Sequence, residues 1–235
     1  MKNKGSIITD FHSHLLPDVD CSGRPEISAR LLLEIAGAGV QNIVLTPHFY
    51  PQANNNVEDF LEKRDQKIND LRSAMKVEGV TNIQIIPAAE VLLCPGLEKL
   101  ENLHKLCIDG TKTILIEMPD LPWSDHLMDS LTAIRDDLGL DVVVAHIDRY
   151  GKKEASRIIA KGFKAQINAD STASFGMRGT ILDWAKNGYV YALGSDKHVH
   201  SDKKSLVYKE FPKAAYILSK YAETINERSL RLIGK

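Results

Sequence analysis

Residues 7–14 read Ile7-Ile8-Thr9-Asp10-Phe11-His12-Ser13-His14, an apolar run ending in two histidines one residue apart. Such a run predicts a strand, and alternate residues of a strand share a face, so His12 and His14 point the same way. Two neutral imidazoles side by side suit a first-row divalent metal. A single His-x-His pair is a weak signal, but further donor residues recur at the ends of later apolar runs. His48 ends the run 42–47 and Glu90 ends 83–89. Glu117 closes 113–116 and His146 ends 141–145. Asp196 and His198 follow 190–195.

Helix-like segments fill the gaps between these strands. After the polar turn 17–23, Pro25 leads into Ile27, Leu31, Leu32 and Ile35 at helical spacing, and Gly37 and Gly39 close the helix. A loop over 50–56 precedes a charged amphipathic helix over 57–75. Helices are predicted at 125–138, 152–161, 178–187 and 206–222, with a strand at 163–168. About seven strands, each followed by a helix or loop, imply an α/β fold of parallel strands with helical crossovers. A closed or nearly closed barrel fits this pattern, and an open doubly wound sheet is the structural alternative. Either architecture gathers strand C-termini on one face, where catalytic groups collect. Of the eight histidines, His12, His14, His48, His146 and His198 fall at strand ends. His104 is expected in solvent, and His126 and His200 are candidates for the rim of the site.

Composition narrows the classes further. The 235 residues contain no low-complexity linker, so one domain spanning 1–235 is expected. A hydrophobic content of 43% can fill a sizeable core, and the net charge of −1 gives no drive toward nucleic acid or an anionic membrane. No apolar run approaches the roughly 18 residues of a membrane span, and the basic start does not read as a signal peptide. Three cysteines, Cys21, Cys94 and Cys107, form no CxxC and point to a reducing cytoplasm. None is followed by arginine six positions on, since Ile27, Leu100 and Thr113 stand there, so cysteine-nucleophile phosphatase chemistry is disfavoured. GxGxxG, GxxxxGK[ST] and GxSxG are all absent, which removes support for nucleotide cofactors and for a serine nucleophile.

The donor-bearing segments resemble the PHP (polymerase and histidinol phosphatase) superfamily, and within it the CpsB/YwqE-like tyrosine-phosphatase branch. The segments are Asp10-Phe11-His12-Ser13-His14-Leu15-Leu16-Pro17-Asp18-Val19-Asp20, Thr46-Pro47-His48-Phe49-Tyr50-Pro51 and Ala89-Glu90-Val91. They continue as Ile116-Glu117-Met118-Pro119, Ala145-His146-Ile147-Asp148-Arg149-Tyr150 and Ser195-Asp196-Lys197-His198. The resemblance implies a distorted (β/α)7 TIM-like barrel holding two or three divalent metals, manganese foremost, with iron, zinc, cobalt or magnesium as alternatives. It implies His12, His14, His48, Glu90, His146, Asp196 and His198 as ligands and Glu117 as a ligand or near-ligand. Arg149 matches an arginine that contacts the substrate phosphate. The family pattern Asp-Val-Asp-Asp-Gly reads Asp18-Val19-Asp20-Cys21-Ser22-Gly23 here, so Asp20 and Cys21 are the candidates for a third metal. A second arginine expected after Asp-x-His is missing, and Lys203 and Lys204 lie nearby.

The implied activity is metal-assisted hydrolysis of a phosphomonoester. The implied substrate is a phosphotyrosine protein of capsule or exopolysaccharide control, such as a bacterial tyrosine kinase tail. Loops 50–56 and 118–125 would accept the flanking peptide, with Trp123 as a possible aromatic contact and Phe49 in the core. Two other readings stand beside it. One is a small-molecule phosphatase such as histidinol phosphatase, and the other is a binding or regulatory module with weakened catalysis, motivated by the changed segment 20–23.

Overall fold

The computed structural model describes residues 6–20, 23–54, 56–120, 122–199 and 208–235. Expectations placed on Cys21, His200, Lys203 and Lys204 fall outside these residues.

The chain alternates strand and helix from the start. β1 (Thr9–His14), α1 (Pro25–Gly37), β2 (Asn42–Leu45), β3 (His48–Phe49) and α2 (Val57–Val77) come first. β4 (Gln84–Pro87), β5 (Glu90–Leu92), β6 (Thr113–Glu117), α3 (Asp125–Asp136), β7 (Asp141–Val144) and α4 (Gly151–Ala160) follow. β8 (Lys164–Asn168), α5 (Arg178–Lys186), β9 (Val190–Gly194), β10 (Lys197–His198), α6 (Glu210–Ile217) and α7 (Ala222–Leu232) complete the series. The helices form for local reasons. Pro25 opens α1 where its missing N–H costs nothing, and Leu31, Leu32 and Ile35 bury one stripe. Asn56 caps α2 by accepting from Asp59 N at 2.8 Å, and Phe60, Ile68, Leu71 and Met75 carry its inner face. Ser124 caps α3 in the same way.

Every strand pairing is parallel, as the βα alternation predicts. The strands form a four-stranded sheet, β10-β1-β2-β4, and a six-stranded sheet, β3-β5-β6-β7-β8-β9, rather than one unbroken ladder. The break has a simple origin. The expected strands at 42–47, 83–89 and 190–195 end early, and a second short strand follows each, beginning at or beside His48, Glu90 and Asp196. Those donors therefore open a second segment rather than end a strand. The expected helix 206–222 is also shorter in the structure, with α6 ending at Ile217, and α7 lies beyond it.

Two apolar layers result. The larger packs the strands against the helices. The inner one takes Phe11, Val44, Ile86, Leu115, Val143 and Ala192 from strands of both sheets, with Leu232 and Ile233 beneath them. Lys235 Nζ donates to Gln84 Oε1 at 2.6 Å and to Asn42 Oδ1, so the chain end covers the N-terminal ends of β2 and β4. Asn226 of α7 ties the start of β1, accepting from Ile8 N at 3.0 Å and donating to Ser6 O at 2.7 Å. The opposite end, at the strand C-termini, is left for polar groups.

A bulge sets the direction of the first histidines. In β1, Asp10 pairs with Ile43 but Ser13 pairs with Leu45, so three steps of β1 oppose two of β2. Phe11 thus stays in the inner layer while His12 and His14 turn together toward the C-terminal end. β9 approaches β1 closely at this point. A Cβ on Gly194 would lie 2.5 Å from His12 Cβ and 2.6 Å from Gln166 Nε2. Gly194→Ala is therefore expected to lower the unfolding free energy by about 1–3 kcal/mol through overpacking, read as a lower urea midpoint at unchanged slope. An unchanged midpoint would mean that β9 can move off β1 freely.

Candidate functional site

The eight donors predicted from sequence come together at one end of the strands. Glu90, buried, is the hub. Its Oε2 lies 3.1 Å from His12 Nε2, 3.2 Å from His14 Nε2 and 3.1 Å from His48 Nδ1, and its Oε1 lies 2.9 Å from His146 Nε2. Asp196 Oδ1 lies 3.3 Å from His14 Nε2, 3.7 Å from His12 Nε2 and 3.9 Å from His198 Nδ1. Glu117 reaches His146 Nε2 at 3.7 Å and His48 Nδ1 at 3.9 Å. The His14 ring stacks on those of His48 and His198, with centroids 4.3 and 4.1 Å apart. Their donor atoms form four overlapping groups: His14, His48, His198; His12, His14, Asp196; His12, Glu90, His146; and His48, Glu90, Glu117.

Asp20 joins this cluster on the His14–His48 side. Its Oδ1 accepts from His48 N at 2.8 Å, and its Oδ2 lies 3.4 Å from His14 Nδ1. Arg149 sits at the rim, half-exposed, and its Nη2 donates to Asp196 Oδ2. Trp123 departs from expectation. It is buried, its Nε1 donates to Pro119 O at 2.7 Å, and its ring meets Tyr150 edge-on, so the β6–α3 loop turns it into the core. Phe49 is a core residue, as expected. His104 and His126 are exposed and belong to none of the donor groups.

The electrostatics of the cluster follow from crowding charges away from water. Burial opposes charge on His12 and His14, yet Glu90 raises the pKa of the first, and Asp196, Asp20 and Glu90 raise that of the second well above the ordinary histidine range. Burial likewise works against ionised Glu90, but the surrounding histidines hold its carboxyl well below the usual range. Asp196 is lowered in the same way, by His14, His12 and Arg149 against its burial. Burial and the Glu90 charge push Glu117 up. Burial and the neighbouring His14 pull His198 down to about 4. Neither Cys94 nor Cys107 offers a reactive thiolate: burial raises Cys94 and pushes Cys107 up to about 12.

Protons alone do not satisfy the cluster. Among the described residues, the buried atoms His14 Nδ1, His48 Nδ1, Asp20 Oδ2 and Glu90 Oε2 have no hydrogen-bond partner. His12 Nε2 and His14 Nε2 face each other at 2.9 Å, where only one can carry a proton. An orphaned buried polar group costs about 1–3 kcal/mol. Mixed imidazole and carboxylate donors that converge and leave several buried atoms unpartnered fit divalent cations.

A supporting set of residues escaped the sequence reading. Gln166 Oε1 lies 3.0 Å from His12 Nδ1 and accepts from His146 N at 2.8 Å. Because the amide oxygen is an acceptor, His12 carries its proton on Nδ1 and presents Nε2 to the cluster. Asn168 Nδ2 donates to Asp196 Oδ2 at 3.0 Å. Tyr150 Oη lies 3.1 Å from His146 Nδ1 and accepts from Met118 N at 3.0 Å. Asp10, fully buried, accepts from Ser195 N at 2.8 Å and from Tyr208 Oη at 2.7 Å, which fastens the Asp196 turn to β1. The alternation that marked His12 and His14 also marks Gln166 and Asn168, two polar residues one apart at the end of β8. Two donors sit on strained backbone: φ is +29° at His146 and +51° at Asp196. Such conformations persist where neighbours over-determine them, commonly at functional sites.

A surface cleft of about 530 Å³ lies between α4 and α5, lined by Lys152, Ser156, Phe175, Thr180, Asp183 and Trp184. It contains none of the clustered donors.

Fold and cluster together define a parallel α/β protein with a histidine–carboxylate centre suited to several cations. The chain belongs to the CpsB/CapC family of capsular polysaccharide synthesis, within the PHP superfamily, and the family model matches residues 8–231. No curated protein matches the chain in sequence. Among solved structures it is similar to one from the set of YwqE from Bacillus subtilis and CpsB from Streptococcus pneumoniae, described as unique metal-dependent tyrosine phosphatases. That likeness has 22% identity and a TM-score of 0.75, covering 96% of this chain and 94% of that one. A lactonase from Listeria monocytogenes is similar at 13% identity and TM-score 0.57, covering 98% and 92%. The phosphotriesterase from Mycobacterium tuberculosis is similar at 12% identity and TM-score 0.56, covering 100% and 96%. These likenesses speak to the fold. No helix among the described residues is long and apolar enough to cross a membrane.

The role of Gln166 is open to test. Gln166→Leu is expected to weaken Mn²⁺ binding about 10- to 100-fold, the usual effect of removing a partner that orients a ligand. Titration in a metal buffer reads this directly. Equal affinity in the variant would show that packing alone orients His12.

Proposed function

We propose that this chain, as one domain over 1–235, is a metal-dependent phosphomonoester hydrolase that removes phosphate from tyrosine in a protein of capsule or exopolysaccharide control. The observation that carries the reading is the cluster around Glu90, with Arg149 at its rim, in a chain of the CpsB/CapC family. His12, His14, His48, Glu90, Glu117, His146, Asp196 and His198 are the proposed metal ligands. Asp20 supplies the carboxylate of a third site through its unpartnered Oδ2. Manganese is the proposed working metal, the cytoplasm the proposed compartment, and a bacterial tyrosine kinase tail the proposed substrate. When bound, such ions supply Lewis acidity toward phosphoryl oxygens and acidify water near neutral pH.

The chain's own residues do the rest. Asp196, itself held by Asn168 Nδ2, accepts from one end of the Arg149 guanidinium at the mouth of the cluster. Its remaining N–H groups, unpaired among the described residues, present a planar fork to two phosphoryl oxygens. Charge developing on those oxygens strengthens the contact in the transition state. Half-buried Cys94 and buried Cys107 take no part, so Cys→Ser at either position keeps activity.

The deciding experiment compares hydrolysis of a phosphotyrosine peptide and of histidinol phosphate with added Mn²⁺. Peptide turnover that is lost with chelator and restored by Mn²⁺ is the expected result. Preference for histidinol phosphate would move the substrate assignment, and full activity in demonstrably metal-free protein would end the reading. Arg149→Lys is expected to lower kcat by roughly 30- to 1000-fold, corresponding to about 2–4 kcal/mol, with metal content unchanged. Unchanged kcat would reduce Arg149 to a surface residue, and lost metal would mean that the Asp196 turn had been disturbed instead.

A further inference from the structure

We infer that Tyr50 forms the wall against which the aromatic ring of the substrate packs, so that the site selects aryl over alkyl phosphates. This rests on the proposed phosphatase function and names a residue that sets its specificity. Tyr50 directly follows β3, and its backbone N–H donates to Asn54 Oδ1 at 2.7 Å, which fixes the turn that carries it. Its ring stacks on that of His48 with centroids 5.1 Å apart and planes 18° from parallel. His48 in turn lies 3.1 Å from Glu90. The ring is therefore one side chain away from the hub of the cluster.

What sets Tyr50 apart is that it stays partly open to solvent. It is 38% exposed, whereas the other aromatic side chains near the cluster are buried or committed. Phe49 and Trp123 lie in the core, and Tyr150 uses its hydroxyl on Met118 N. The Tyr50 hydroxyl makes no hydrogen bond among the described residues, so no polar tether explains the residue. Phe175 and Tyr216 are more exposed still but touch no donor. A flat ring held against a donor histidine and partly open to solvent gains from an offset-stacked aromatic partner. A phosphate ester of a phenol brings such a ring with it when its phosphoryl group enters the cluster. A short alkyl ester does not.

The test separates this inference from the function beneath it. Dissociation constants of phenylphosphonate and methylphosphonate are measured by calorimetry on Mn²⁺-supplemented protein, for wild type, Tyr50→Ala and Tyr50→Phe. Wild type is expected to prefer the phenyl compound. That preference should shrink about 3- to 10-fold in Tyr50→Ala, the scale of one aromatic pair, and persist in Tyr50→Phe. No phenyl preference in wild type, an equal loss for both compounds in Tyr50→Ala, or an equal loss of preference in Tyr50→Phe would each overturn the inference. Peptide hydrolysis is measured alongside. If the phosphonate pattern holds and phosphotyrosine peptide is not hydrolysed, the function fails while the aryl site stands. If the peptide is hydrolysed and the pattern is absent, only the aryl site fails.

Discussion

One buried carboxylate surrounded by four imidazoles is the constraint on which this molecule turns. Glu90 lies within 3.2 Å of His12, His14, His48 and His146, and those histidines come from three separate segments of the chain. Grouping ionisable side chains away from water is costly unless each finds a counter-charge or a cation. Protons shared between Glu90, Asp196 and the histidines meet part of that need, which is why the carboxylates are held low and His12 and His14 high. They leave several buried atoms unpartnered. Cations answer both deficits at once, and the fold places its breaks, its bulge and its strained residues where they serve this arrangement.

The scaffold follows from that need. Helices cover the outer faces of the strands and the chain end fills one mouth, so the polar mouth is confined to the strand C-termini. Breaks after β2, β4 and β9 let single residues turn inward where a continuous ladder would alternate. Positive φ at His146 and Asp196 stores about 1–3 kcal/mol at each position. Asp10, Gln166 and Asn168 tie down the residues around them, and Gly194 gives His12 and Gln166 the room to meet.

Much of this was legible before any coordinates. The eight donors announce themselves because each stands at the end of an apolar run, and βα alternation turns that position into a shared face. The parallel pairing follows from the same pattern. The sequence is less informative where tertiary contact overrides local preference. The split strands look continuous because the apolar runs carry on through 46–47 and 88–89, although Pro47, with no N–H to give a ladder, stands in the first break. The last expected helix stops at 222, so α7 and the end of the chain went unread, and their role in covering the strands depends on contacts more than 150 positions away. Trp123 looks like a rim aromatic until Pro119 and Tyr150 are seen to hold it. Gln166 and Asn168 went unread because amides are common in strands and only the geometry shows which imidazole and which carboxylate they serve.

The most direct test of this account is a count of metal ions per chain by mass spectrometry after equilibrium dialysis against Mn²⁺, for wild type and Glu90→Gln together. The amide keeps the size of the carboxylate but removes the charge at the hub. The account predicts more than one ion per wild-type chain and fewer in Glu90→Gln, with an unchanged circular dichroism spectrum. A wild-type chain that retains no metal, or a Glu90→Gln chain that retains as much as wild type, would contradict it.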